Sequence, residues 1–259
     1  MQAKIRVGAV SYLNTKPLIY GFGKGMMKNE IDLLIDYPSR IADQLLNDEI
    51  DIGLVPVVVI PEMERSHIIS KYCIGCDGGV GSVCLFSEVP LNRIKKVLLD
   101  YQSKTSAELL KIVLKDFWKI SPEIQAGGED YIREIKESTA GLVIGDRALE
   151  KRSESVYIYD LGLEWKKYTG LPFVFAAWIS NKIFSPEFIK AFNEANIFGL
   201  QHISDIVKQN PYQYYDLNKY YTKNISYRFD DEKKDGLNLF LEKLQENPVM
   251  PGQNIQEQL

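Results

Sequence analysis

Ile5-Arg6-Val7-Gly8-Ala9-Val10-Ser11-Tyr12-Leu13-Asn14-Thr15-Lys16-Pro17 opens the first patterned segment of the chain. Residues 5–10 read as a short apolar strand and residues 11–17 as a polar turn. A proline preceded by Asn and Thr marks the entry to a helix. The order is therefore strand, turn, helix. Outward from it, residues 33–37 read as a second strand. Ile41, Ala42, Leu45 and Leu46 have helical spacing, and residues 51–59 read as a third strand. Alternating strands and helices predict an α/β fold with mostly parallel pairing.

The middle of the chain repeats the theme. Residues 97–100 form a strand, 101–106 a turn, and Ala107, Leu110, Leu114 and Phe117 step by three and four as a helix does. Residues 141–145 and 156–159 are further short strands, with a helix from Arg147. Two apolar segments, 82–87 and 172–179, bracket this block as strands. The tail carries a helical stretch over 188–206, six tyrosines between Tyr212 and Tyr227, and a helix face of Leu237, Phe240, Leu241 and Leu244. The tail needs a sheet to pack on, and the N-terminal one is its natural partner. The expected architecture is two lobes joined by two crossing strands. One is discontinuous, residues 1–86 plus 177–259; the other is 87–176. A ligand cleft is expected between them.

Composition narrows the function. The chain has 259 residues, 45% hydrophobic and 25% charged. Its 31 basic and 35 acidic residues give a net charge of −4, which argues against nucleic acid as a partner. No apolar run approaches the ~18 residues of a membrane span. The N-terminus passes straight into strand-like sequence without a signal-peptide pattern, so a cytoplasmic location is expected. Three cysteines are too few for a disulfide framework. Cys73 and Cys76 have C-x-x-C spacing, but in a strand-like context and without a second pair, so no metal is expected. His67 and His202 have no ligand or catalytic pattern around them. Gly78-Gly79-Val80-Gly81-Ser82 lacks the spacing of a nucleotide loop, so no cofactor is expected either. Those glycines read as a place where backbone approaches the cleft.

Asn14 lies in the first strand-to-helix turn, at the carboxyl end of a strand, where open α/β sheets bind ligands. It reads either as a helix-capping asparagine or as a cleft amide. Ser11 and Thr15 share the turn. Ser103, Thr105 and Ser106 precede a helix, and Thr105-x-x-Glu108 fits a capping box. A capped helix N-terminus also receives a carboxylate well. Asp146 either caps the following helix or lines the cleft. The six tyrosines read as packing for a lobe.

Several of these segments resemble the chorismate dehydratase family, enzymes of menaquinone biosynthesis by the futalosine route. They are residues 7–18, Asp51-Ile52-Gly53-Leu54-Val55-Pro56-Val57, Ser103-Lys104-Thr105-Ser106-Ala107, Gly145-Asp146-Arg147-Ala148-Leu149 and residues 169–176. Lys104 departs from the pattern, where arginine is more usual. The resemblance implies a type II periplasmic-binding-protein fold. It implies Asn14 and Ser82 as catalytic residues, and Ser103, Thr105 and Ser106 as the turn that holds a substrate carboxylate. Ser11, Gly145, Asp146 and Thr169 are further substrate contacts on this reading, and chorismate is the implied small-molecule substrate. A non-catalytic binder of small anions and the sibling dihydroxynaphthoate-forming enzyme of the same pathway are the rival readings. Oligomeric state is left open.

Overall fold

The direction of two strands organises the molecule. The computed structural model describes residues 3–100 and 103–246. Tyr101 and Gln102, expected in the second-lobe turn, lie outside the described residues, as do the two ends of the discontinuous lobe.

The first lobe begins with β1 (Ile5–Val10), a 3-10 turn (Leu13–Thr15) and α1 (Lys16–Gly23), the strand, turn and helix expected from sequence. β2 (Ile31–Asp36), α2 (Pro38–Leu46), β3 (Ile52–Pro56) and β4 (His67–Cys76) follow. Ile41, Ala42 and Leu45 are the buried face of α2. β3 is shorter than the expected 51–59, because a 3-10 segment (Val57–Glu62) containing Pro61 follows it.

The second lobe holds β5 (Val83–Ser87), β6 (Lys96–Leu99), α3 (Lys104–Ile112), β7 (Glu123–Ala126) and β8 (Thr139–Ile144). It continues through α4 (Gly145–Lys151), β9 (Tyr157–Asp160) and α5 (Leu161–Thr169). The chain then returns through β10 (Phe173–Ser180) to α6 (Pro186–Gln201), α7 (Ile203–Gln209) and α8 (Leu217–Lys219). A π-helical turn (Tyr220–Asn224), β11 (Ser226–Arg228) and α9 (Asp231–Glu246) complete it. The single tail helix expected over 188–206 is two, broken at His202.

One sheet has the order β11-β4-β10-β3-β1-β2 and the other β7-β6-β8-β5-β9. Both are mixed rather than mostly parallel. β1 pairs parallel to β2 and β3, but β10 lies antiparallel between β3 and β4. Likewise β6 pairs parallel to β7 and β8, while β5 is antiparallel to β8 and β9. β10 and β5 are each the first strand after a lobe crossing; β11, antiparallel to β4, is a third reversed strand, at the edge of the first sheet. The crossings are short, so the chain enters the new sheet at the edge facing the cleft. That edge is where the βα strands end, so an entering strand must run the other way.

Strand pairing also moves the expected lobe boundaries. Residues 86/87 cut through β5, which pairs wholly in the second sheet. Residues 176/177 cut through β10, which pairs wholly in the first. The crossings fall at residues 77–82 and 170–172, because β5 and β10 are interior strands, hydrogen-bonded to neighbours on both sides within one sheet each.

Aromatic packing joins the layers. Trp178 meets Phe192 and Phe22 edge-on in the first lobe. Phe240 of α9 packs against Phe173 and Trp165, covering the return crossing. Each such side chain contributes about 1.5–3 kcal/mol by leaving water. Cys73, Cys76 and Cys84 are buried free thiols, and burial pushes the Cys73 thiol up to about 12. Among the described residues no helix is long and apolar enough to cross a membrane.

Candidate active site

The strand ends of both sheets face one cleft, which encloses about 580 Å³ of free space including its open mouth. β1 delivers Val10, Tyr12 and Asn14 to it, and β3 delivers Leu54 and Pro56. The outward crossing supplies Val80, Ser82 and Val83. From the second lobe come Ser103, Thr105, Ser106, Ile144 and Gly145, and from β10 come Phe175 and Ala176. The walls are apolar and the polar groups few: one amide, four aliphatic hydroxyls, the Tyr12 phenol and backbone. Among the described residues, no carboxylate, ammonium, guanidinium or imidazole lines the cleft.

Asn14 sits in the 3-10 turn that follows β1, and the turn has no side-chain cap. Its amide oxygen lies a long 3.4 Å from the Thr15 hydroxyl. Asn14 is thus a cleft amide and not a helix cap. Its backbone carbonyl accepts a 2.9 Å hydrogen bond from the Tyr227 hydroxyl.

The α3 entrance is capped differently from the sequence expectation. Ser103, not Thr105, is the N-cap: its hydroxyl accepts from the Ser106 N–H at 3.2 Å and donates to the Ser106 hydroxyl at 2.8 Å. Glu108 pairs with Lys111 instead of closing a capping box. The Thr105 hydroxyl accepts from the Val58 N–H at 3.3 Å, tying α3 to the first lobe. Lys104 is exposed and outside the cleft, so its departure from arginine does not alter the lining.

Ser82 is buried at the end of the outward crossing, and its hydroxyl meets the Tyr220 hydroxyl at 2.7 Å. The crossing is held by Asp160, the N-cap of α5, whose carboxylate accepts from the Val80 and Gly81 N–H groups at 2.9 and 2.7 Å. Of the glycine-rich run, Val80 and Ser82 face the cleft, not the glycines.

A model of the menaquinone-biosynthesis family matches residues 5–246. The chain belongs to that family. It is 26% identical over 236 residues to the chorismate dehydratase of Thermus thermophilus, covering 80% of this chain and 84% of that one. A crystal structure of an Archaeoglobus fulgidus protein covers 94% of this chain and 97% of its own, at TM-score 0.74 and 15% identity. The periplasmic aliphatic sulphonate binding protein of Escherichia coli covers 97% of this chain and 95% of its own, at TM-score 0.61 and 13% identity. The fold is that of the periplasmic binding proteins.

Within this family member, Asn14, Ser82, Ser103, Thr105, Ser106 and Gly145 come together around the cleft. Three expected contacts do not line it. Ser11 is exposed at the end of β1. Thr169 ends α5, where its hydroxyl donates to the Trp165 carbonyl and accepts from the Leu171 N–H, using both functions locally. Asp146 turns its carboxylate away, accepting from the Leu13 N–H of the first lobe at 3.2 Å. Burial raises the pKa of Asp146, opposed by that hydrogen bond and by Lys16. The Asp146 carbonyl also accepts from the Tyr212 hydroxyl, so this residue joins the lobes through two bonds. Gly145 lines the cleft, but its N–H is spent on the Ser82 carbonyl at 2.8 Å.

The tail tyrosines are the residues sequence reasoning undervalued. They pack, as expected, and two of them also hold Asn14 and Ser82. A run of tyrosines signals burial with a polar end to satisfy, but which groups they reach is set by the fold.

Proposed function

We propose that this chain is a chorismate dehydratase, a hydro-lyase forming 3-[(1-carboxyvinyl)oxy]benzoate in the futalosine route, working in the cytoplasm. Family membership and the Thermus relative support this. The observation that carries it is the cleft lining: neutral donors on apolar walls, with no charged side chain among the described residues. That lining suits an elimination whose driving force is aromatisation and whose protein need is orientation.

Chorismate loses the hydrogen of its ether-bearing ring carbon and its 4-hydroxyl. A neutral amide or hydroxyl is too weak a base for that proton at neutral pH. The carboxylate of the enolpyruvyl arm, held beside the C–H, takes it. The electron pair left behind spreads into the ring carboxylate, and the Ser103–Ser106 hydroxyls at the N-terminus of α3 stabilise it. The pair then returns to expel the hydroxyl as water, with the transferred proton balancing the charge, and the ring becomes aromatic. Asn14 and Ser82 hold the arm and the departing hydroxyl in line.

Purified protein incubated with chorismate, followed by chromatography of the product, tests the reading. Formation of the enolpyruvyl benzoate is expected. Tight binding without turnover would replace the enzyme by a binding protein of this fold. An unchanged chorismate pool with no binding would remove both.

A further inference from the structure

We propose that Tyr220 is a positioning residue that acts through Ser82, turning the Ser82 hydroxyl proton into the cleft. The inference rests on the proposed dehydratase reading and assigns a residue to it.

Tyr220 is fully buried in the π-helical turn and does not itself line the cleft. Its hydroxyl and that of Ser82 are 2.7 Å apart, so one must donate to the other. A phenol is the stronger acid and the better donor, so Tyr220 gives its proton and a Ser82 lone pair receives it. Ser82 is also buried, and its hydroxyl has no other hydrogen-bond partner among the described residues. Its own proton is therefore left for the remaining open direction, the cleft. A hydroxyl that accepts from a phenol is also the stronger donor to its next partner. Ser82 then offers a directed proton to the substrate hydroxyl that must leave, without giving it up.

Burial pushes the Tyr220 phenol far above its ordinary pKa; Ser82 and Asn14 oppose the rise, and Asp146 adds to it. The phenol thus keeps its proton and has it to donate. Its neighbour Tyr221 supplies the contrast. It is as deeply buried, but its hydroxyl has no hydrogen-bond partner among the described residues.

The test is a double-mutant cycle of Tyr220→Phe and Ser82→Ala, with Tyr221→Phe as control. The phenylalanine keeps the ring and its packing. Tyr220→Phe is expected to lower kcat by about tenfold, as loss of one orienting hydrogen bond would, with KM and melting temperature nearly unchanged. In the Ser82→Ala background the same substitution should change kcat by less than about twofold, because the group it acts on is gone. Tyr221→Phe should match wild type. An equal loss in both backgrounds would mean that Tyr220 works independently of Ser82, and would overturn the proposal. So would a Tyr220→Phe enzyme as fast as wild type. Wild-type protein that fails to turn over chorismate would refute the dehydratase reading instead. The cycle is then judged on chorismate affinity, where coupling between the two substitutions supports the hydroxyl pair and additivity refutes it.

Discussion

Gly145 should be the least replaceable glycine of the cleft, and a comparison with Gly170 isolates the reason. Both have positive φ, +64° and +75°. A side chain in that conformation costs about 1–2 kcal/mol. At Gly170 a Cβ would meet nothing within 4 Å, so Gly170→Ala should lose that amount and no more. At Gly145 a Cβ would lie 3.3 Å from two ring carbons of Tyr12, which belongs to the other lobe. The ring must yield by a few tenths of an ångström, and such overpacking adds about 1–3 kcal/mol. Gly145→Ala should therefore lose about 2–5 kcal/mol in all. In the melting temperature, each kcal/mol appears as roughly 2–4 °C. Urea and thermal unfolding of the two variants give the difference directly. Because Tyr12 lines the cleft, Gly145→Ala alone should also impair chorismate turnover. Equal stability losses in the two variants would show that the contact across the lobes does not exist.

Asn14→Ala should lower kcat by roughly 10²–10³, the cost of one transition-state donor, while circular dichroism and melting stay near wild type, since the bond from Tyr227 reaches its backbone. Asp146→Asn should keep most of its activity, because an amide oxygen can still accept from Leu13; near-total loss with substrate still bound would make Asp146 the base and sink the substrate-carboxylate mechanism. Burial raises the pKa of Asp146 above its unfolded value, so the ionised group costs stability at neutral pH. Denaturation across pH should accordingly find Asp146→Asn the more stable protein near pH 7, with the gap closing as pH falls through the raised pKa to the unfolded one. Asp51 has the opposite sign: against its burial, hydrogen bonds from Arg6 and Lys182 hold its carboxylate well below the usual range. Its contribution should be present above the unfolded pKa and fade as pH falls below it, and Asp51→Ala should cost about 1–3 kcal/mol, since both cations are half exposed. No cluster of three His, Cys, Asp or Glu among the described residues could hold a metal, so activity should survive a chelator; loss restored by added metal would contradict that.

Local pattern carries far in this protein because βα units are local objects. Strand periodicity, Pro17 after Asn14 and Thr15, and the hydroxyl run at 103–106 were legible along the chain. Each reports a strand end or a helix start, and strand ends face the cleft in a sheet of this kind. Position alone put Asn14, Ser103, Thr105, Ser106 and Gly145 at strand ends and helix starts, where capping was an equal reading; the resemblance to the chorismate dehydratases is what named Asn14 and Ser82 as site residues. Local pattern does not carry direction across a crossing, so the reversal of β5 and β10 was hidden. It follows from where the chain enters each sheet. Nor does it carry where a side chain points once two lobes meet. Asp146 and Thr169 sit beside lining residues in sequence, but backbone groups from elsewhere in the fold and from their own helix end claim their oxygens. Tyr220 and Tyr227 lie 138 and 213 residues from the groups they hold. No spacing rule spans such a distance. Those contacts exist only because the tail folds back over the first sheet, and burial of a phenol demands a partner for its hydroxyl wherever the fold supplies one.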